Sequence, residues 1–425
     1  MCFQVEIRQS DSISIIDDLC DDSVWDDFLK RKSVNSKNSK KTEMEEFIKN
    51  RRYRETVESI REGNYEFKPV RRLEIPKPGT EDKRIVYTCK RDDITEHMVL
   101  RVFAELLQRY DDIFCDNLYS FRNTGGVQRA IARLQGIQKD IGLKYAYKAD
   151  ITKYFNSINR KKMERILIEN RIDERSCDLI GKILDSSMVE FNGELIEDEE
   201  RGILPGMPFS TFLSNLYLND MDQHFHNNKV QYYRFADDIL VLADSENELL
   251  EHVKYIRDFV KERGLEINPS KETFYKPHAR IEFLGLYIQD GIFDINRKSL
   301  DKSIRRIRIL GRYYRKTVEK HTKTVDEAVH CFLVKINQRF FGWKRKSKNS
   351  WSSWYFPLIN TDDSLKKIDH QVQEWIRYII TGKHIEGNRC RISYKKLKKY
   401  QYVTLVNRFY NRNYKNRDRI GMMQD

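Results

Sequence analysis

The stretch Tyr233-Arg-Phe-Ala-Asp-Asp-Ile-Leu-Val-Leu-Ala-Asp244 places two adjacent carboxylates, Asp237 and Asp238, inside an apolar frame. Phe235, Ala236, Ile239, Leu240, Val241, Leu242 and Ala243 predict buried β-structure by their length and their aliphatic, β-branched content. Burying an ionised carboxylate is costly, and a second beside it adds repulsion, so the pair needs a cation, a shared proton or solvent access. A polar turn at a hairpin tip is the plain alternative, and the stretch alone leaves both readings open.

Downstream, Leu249, Val253, Ile256 and Val260 recur at helical spacing, Gly264 supplies a stop, and Leu265-Glu-Ile-Asn268 resumes as a strand. Upstream, "LKYAYKADITKYFNSI" (143–158) reads as a strand ending at Asp150, and "STFLSNLYLNDMDQHF" (210–225) reads as a helix. The order is β-α-β-β-α-β, the split ferredoxin-like arrangement. Such a sheet sets the ends of its first and middle strands side by side, which brings Asp150 beside Asp237 and Asp238. Three carboxylates at one point suit a hard divalent cation, and Mg²⁺ fits because it leaves positions for water and substrate phosphate. Two such ions about 3.5–4 Å apart activate an attacking 3′-hydroxyl and stabilise a departing pyrophosphate.

The rest of the chain points to a polyanionic partner. Its 425 residues carry 78 Lys+Arg against 65 Asp+Glu, a net charge of +13. Residues 381–425 hold six Lys, six Arg and three acids, interleaved with Tyr394, Tyr400, Tyr402, Phe409, Tyr410 and Tyr414. Cations among aromatics suit RNA or single-stranded DNA, whose bases stack. In "KSLDKSIRRIRILGRYYRK" (298–316), Leu300, Ile304, Ile307 and Leu310 form one stripe, while Lys298, Lys302, Arg305, Arg306, Arg308 and Arg312 coat the remaining surface. A basic helix of this kind suits a duplex backbone. "FKPVRRLEIPKPGTEDKRIVYT" (67–88) predicts a hairpin turning at Pro78-Gly79, with Lys77, Lys83 and Arg84 at its tip as phosphate ligands.

Other classes are disfavoured. The mean hydropathy of -0.71 and the absence of a long apolar run argue against a membrane span, and no secretory leader is visible. Seven scattered cysteines without a C-x-x-C pair predict reduced thiols in a cytoplasmic protein and no structural zinc. A helix is expected over about 43–62, after a polar linker at 32–42. The acidic run Asp17–Asp27, with six Asp, fits either a basic surface or solvent. Trp351, Trp354, Tyr355 and Phe356 are read as core packing.

Seven blocks in order resemble the bacterial reverse transcriptases related to group II intron and retron enzymes. "IPKPGTEDKRIVY" and "YSFR" are similar to their fingers motifs, "ADITKYFNSI" and "GILPGMPFSTFLSN" to two palm motifs, and "FADDI" to the aspartate motif. "GLEINPSKE" is similar to the helix-strand motif that follows, and "FLGLYI" to the primer grip. The resemblance implies an α+β right-hand polymerase with fingers, a ferredoxin-like palm and a helical thumb. It divides the chain into an N-terminal extension (1–64), fingers (65–145), palm (146–290), thumb (291–380) and a basic aromatic tail (381–425). Asp150, Asp237 and Asp238 become the ligands of two Mg²⁺ ions, with Mn²⁺ as a substitute. Lys77, Arg84 and Arg122 hold the triphosphate of a deoxynucleotide, with Ile151 and Gly206 lining the site. Phe155 is the bulky sugar gate that rejects a 2′-hydroxyl, and Lys271 is a general acid for pyrophosphate.

The sequence departs from the family pattern at Leu204-Pro205-Gly206, where Pro-Gln-Gly is common, at Asn156 for an aspartate and at Phe235 for a tyrosine. "RGLEIN" stands where retron enzymes carry Val-Thr-Gly. The compact plan looks most similar to the defence-associated, unknown-group enzymes, which implies a noncoding RNA template, an RNA/DNA hybrid product and a role against phage. Untemplated DNA synthesis, a metal-dependent nuclease on the same acids, and a non-catalytic RNA-binding protein on the same fold are the competing readings.

Overall fold

The computed structural model describes residues 14–33, 39–77, 81–89, 94–199, 202–342, 350–383, 392, 400 and 402–411. The Pro78-Gly79 turn and most of the basic tail lie outside them. The chain forms two compact units, Met1–Gly126 with Tyr147–Thr273, and Val127–Ala146 with Phe274–Asp425. This division is coarser than the five segments expected, and it groups residues 127–146 with the C-terminal half.

Eleven strands are described: β1 (Arg71–Pro76), β2 (Lys83–Thr88), β3 (Tyr145–Asp150), β4 (Met188–Phe191), β5 (Glu194–Glu197), β6 (Gln231–Phe235), β7 (Asp238–Ala243), β8 (Thr273–Tyr275), β9 (Ile281–Phe283), β10 (Leu286–Gln289) and β11 (Ile292–Ile295). They form three sheets, ordered β2-β1-β4-β5, β6-β7-β3-β8 and β11-β10-β9. Taken as first to fourth strands of a β-α-β-β-α-β unit, β3, β6, β7 and β8 stand in the spatial order 2-3-1-4, as a ferredoxin-like sheet requires. The fourth strand differs from expectation. Leu265–Asn268 contributes only a bridge between Ile267 and Ile151, and the strand itself begins at Thr273.

The core of the first unit follows the apolar periodicity. Helix Glu246–Glu262 starts at the Ser245 cap, whose side chain accepts from the Glu248 N–H, and buries Leu249, Val253, Ile256 and Val260. The helix expected over 43–62 is two helices, Ser39–Lys49 and Arg54–Arg61. The break lies at Arg51, whose φ of +53° helical geometry excludes. There Arg51 pairs bidentately with Asp26 at 2.8 and 2.9 Å, and buried Tyr53 stacks on Trp25 with ring centroids 3.8 Å apart. The long helix expected over 210–225 is likewise divided, into Ser210–Tyr217 and Asn219–Asn227, at Leu218.

The acidic N-terminal stretch packs on a basic surface. Asp17 meets Arg175 at 2.7 Å, Asp18 pairs with Arg109, and Asp22 pairs with Arg54 and accepts from Tyr53 Oη at 2.7 Å. Exposed ion pairs contribute little each, so the burial of Ile15, Ile16, Leu19, Trp25 and Phe28 supplies most of the docking energy.

In the C-terminal unit, helix Arg297–Glu319 buries Leu300, Ser303, Ile307, Gly311 and Tyr314 and leaves the six predicted cations exposed. Gly311 is required by close approach, because a Cβ there would come within 2.2 Å of the Trp375 ring. Trp351 packs against Phe340 and donates its indole N–H to Ser303 Oγ at 3.3 Å, and Phe356 is buried, whereas Trp354 is exposed. No helix among the described residues is long and apolar enough to cross a membrane.

Candidate active site

Strands β6 and β7 pair from Gln231↔Leu242 to Phe235↔Asp238, so only Ala236 and Asp237 form the turn. The turn reading and the buried-site reading therefore describe one object. Asp237 sits on the bend and Asp238 opens β7, and both are half-buried. Beside β7 in the sheet, β3 ends at Asp150, which is 7% exposed. Burial, followed by the Asp150 charge, pushes the Asp237 carboxyl up to about 6. Asp238 is also raised, by burial first, with Lys148 acting against it and Asp150 reinforcing it.

A tight hairpin bearing two acids needs support, and buried polar groups that the sequence reading did not single out supply it. Ala236 has φ +57°, unusual for a residue other than glycine. Its N–H donates to Ser120 Oγ at 2.9 Å, and its carbonyl accepts from Arg234 Nη1 at 3.1 Å. Arg234 is fully buried. It pairs with buried Asp222 through Nε at 2.8 Å and through Nη2, and Nη2 also reaches the Asn215 carbonyl at 2.9 Å. Burial opposes the guanidinium charge, but the Asp222 carboxylate and its hydrogen bonds hold the Arg234 pKa above its ordinary value. Tyr232 Oη donates to Asp222 Oδ1 at 3.1 Å, and Asn215 exchanges two hydrogen bonds with Ser120, each 2.9 Å. The signal was present as a charged residue, Arg234, in an apolar strand and as Asn215 on an apolar helix.

Lys271 reaches the third acid. The Asn268 N–H donates to the Asp150 carbonyl at 2.8 Å, and Lys271 N–H donates to the Asn268 carbonyl at 3.0 Å. That turn sets the Lys271 ammonium 2.8 and 2.7 Å from the two Asp150 carboxylate oxygens. Among the described residues no three His, Cys, Asp or Glu side chains are gathered into a ready-made cation shell. The positive charge at Asp150 is Lys271. An oxygen-only donor set in which burial and mutual repulsion raise two of three acids nonetheless fits a hard divalent cation.

The other expected site residues divide. Lys77 and Arg84 are exposed, Lys77 lying 3.8 Å from Asp82. Gly206 has φ +107°, and a Cβ there would stand 2.6 Å from the Tyr87 carbonyl of β2. Beside it, Tyr87 N–H donates to the Pro205 carbonyl at 2.7 Å. The departing Leu204 is fully buried at φ +56°, packed into the core. Ile151 is buried, and its backbone bridges to Ile267. Arg122 corrects the expectation of a triphosphate ligand. Its side chain is 7% exposed and is bound to Asp111 through Nε at 2.9 Å and Nη2 at 3.0 Å, with Nη1 on the Cys115 carbonyl at 2.6 Å. These partners occupy the guanidinium fork that a phosphate would need. Phe155 is half-buried and lies near Phe121, ring centroids 6.4 Å apart at 82°.

A sheet in 2-3-1-4 order, with acids at the end of its first strand and at the turn joining its second and third, fits the palm of a nucleic-acid polymerase. The family model described as reverse transcriptase (RNA-dependent DNA polymerase) matches residues 75–288, half of the chain. The chain belongs to that family, an RNA-directed DNA polymerase by class, whose members use divalent metal ions. It is similar to Protein YkfC of Escherichia coli strain K12, 22% identical over 53% of this chain and 67% of that protein. It is also similar to the "Putative COX1/OXI3 intron 2 protein" of Saccharomyces cerevisiae, 21% identical over 64% of this chain and 37% of that longer protein. Among solved structures, telomerase from Candida albicans with a fragment of telomeric RNA matches at TM-score 0.42 and 11% identity, covering 81% of this chain and 68% of that one.

Proposed function

We propose that this chain synthesises cDNA on a dedicated noncoding RNA by Mg²⁺-dependent nucleotidyl transfer, in the bacterial cytoplasm and in defence against phage. The observation that carries the chemistry is the half-buried Asp237 and Asp238 at the β6-β7 turn, next to the end of the Asp150 strand, where burial and the Asp150 charge raise the proton affinity of both. Asp150, Asp237 and Asp238 would hold the divalent ions, which when bound supply charge neutralisation and activation of the primer hydroxyl. Lys77 and Arg84 hold the triphosphate through charge at an exposed hairpin. Lys271 gives a proton to the departing pyrophosphate, from a half-exposed ammonium already at the site. Phe155 excludes a ribose 2′-hydroxyl. The dedicated RNA and the defence role are supported by the likeness of the acidic N-terminal extension and the basic aromatic tail to those of the unknown-group enzymes.

The test is to purify the protein with its accompanying RNA, add Mg²⁺ and labelled deoxynucleotides, and compare it with Asp237→Ala/Asp238→Ala. A DNase-sensitive product made only by the unaltered protein, and lost on prior RNA digestion, is the expected result. Synthesis that survives RNA digestion indicates untemplated polymerisation. RNA binding without synthesis in either protein indicates the binding-protein reading.

A further inference from the structure

We infer that Phe121 is a positioning residue that sets the substrate's sugar specificity by buttressing Phe155; this rests on the reading of Phe155 as the sugar gate. Phe121 is held at φ +57° although it is an aromatic residue. Such a conformation is strained for an aromatic residue and persists only where the surroundings enforce it.

Both neighbours of Phe121 enforce it. Ser120, fully buried, is fixed on one side by Asn215 and the Ala236 N–H. Arg122 is clamped on the other by Asp111 and the Cys115 carbonyl. The chain then closes on itself, with Gly126 N–H donating to the Tyr119 carbonyl at 2.6 Å. Gly125 makes that closure possible, since a Cβ there would stand 2.5 Å from the same carbonyl oxygen. This is the work that occupies Arg122 in place of a phosphate.

The pinned backbone presents a ring that is 46% exposed, which burial alone does not explain. It meets Phe155 edge-on with centroids 6.4 Å apart, and Phe235 at 6.4 Å and 45°. Phe235 immediately precedes the Ala236-Asp237 turn. The Phe155 ring also meets Tyr154 edge-on, centroids 5.7 Å apart, and its carbonyl accepts from the Ile203 N–H at 3.0 Å. Rotation of the Phe155 side chain toward Phe121 meets the edge of that ring. Phe121 blocks that rotation, so Phe155 meets an added 2′-hydroxyl instead of swinging away from it. The same ring couples the gate to the acid-bearing hairpin through Phe235.

The experiment measures kcat/KM for a ribonucleotide and for the matching deoxynucleotide on the full chain with its RNA, for Phe121→Ala, Phe121→Tyr, Phe155→Ala and the double variant Phe121→Ala/Phe155→Ala. Phe121→Ala is expected to raise the ribo/deoxy ratio about tenfold and Phe121→Tyr to leave it near the original value. The double variant is expected to be no more permissive than Phe155→Ala, because the residue acts through the gate. Should Phe121→Ala not fold, Phe121→Leu, which keeps apolar volume and loses the ring edge, gives the same reading. An unchanged ratio in Phe121→Ala beside a raised ratio in Phe155→Ala, or additive effects in the double variant, overturns the inference and leaves the gate intact. An unchanged ratio in Phe155→Ala overturns the gate reading and the inference together.

Discussion

Lys271 and Asp150, 121 positions apart in the chain, form a bidentate contact, the ammonium nitrogen lying 2.8 and 2.7 Å from the two carboxylate oxygens. The lysine is half-exposed and the aspartate nearly buried, so the pair stabilises mainly by sparing Asp150 an uncompensated charge. Screening at the lysine end reduces the effect. Lys271→Gln is expected to lower metal-free stability by about 1 kcal/mol, read as a urea midpoint in chelator. An unchanged midpoint would show that the ammonium does not hold Asp150.

Asp237 bears the opposite relation between function and stability. Its folded-state carboxyl is raised from the model-peptide value of 3.8 to about 6. Between those values the native state binds more protons than the unfolded chain, so this group's contribution to stability declines as pH rises from about 4 to about 6. The penalty above pH 6 amounts to at most about 3 kcal/mol. Asp237→Asn is expected to raise the Tm of the metal-free protein at pH 7, to flatten its pH dependence across that window and to abolish synthesis. A lower Tm at pH 7 contradicts the assignment.

Arg234 and Asp222 form a fully buried pair under the acid-bearing hairpin. Removing one member leaves an unpaired buried charge, so Arg234→Met or Asp222→Leu alone is expected to cost about 3–5 kcal/mol. The double replacement should cost clearly less than the sum of the two, measured as a double-mutant cycle by urea unfolding. Additivity would mean that the two charges do not meet.

Arg84 and Arg122 separate binding from folding. Arg84 is exposed, and Arg84→Ala is expected to raise the deoxynucleotide KM about tenfold with Tm unchanged. Arg122→Ala deprives Asp111 of its partner and is expected to lower stability by about 1–3 kcal/mol. Equal KM effects from both, with no loss of Tm in Arg122→Ala, would restore Arg122 as a phosphate ligand.

Gly206 tests the contact between the second palm motif and β2. Gly206→Ala brings a methyl to 2.6 Å from the Tyr87 carbonyl at a φ of +107°, so a loss of about 2 kcal/mol or more is expected, measured by thermal unfolding. A neutral effect would show that the backbone there relaxes freely.

Local sequence patterns specified the first three strands of the palm sheet and its acids, but not the position of the fourth strand. Periods of two and of 3.6 are local signals, and the β-α-β-β-α-β order they spell dictates which strand ends adjoin, which sets Asp150 beside Asp237 and Asp238. The tertiary structure alone decided the partners of the buried polar groups. Arg122 carries the charge of a phosphate ligand, and only the fold brings Asp111 and the Cys115 carbonyl to it. Arg51 interrupts a continuous helical pattern because Asp26 and the Trp25-Tyr53 stack outweigh local propensity. Phe121 reads as one more apolar residue until the locked backbone on both sides turns it toward Phe155. Propensity is a property of neighbours in sequence, whereas the pairing of a buried charge or the aim of a strained residue depends on atoms that only the folded chain brings together.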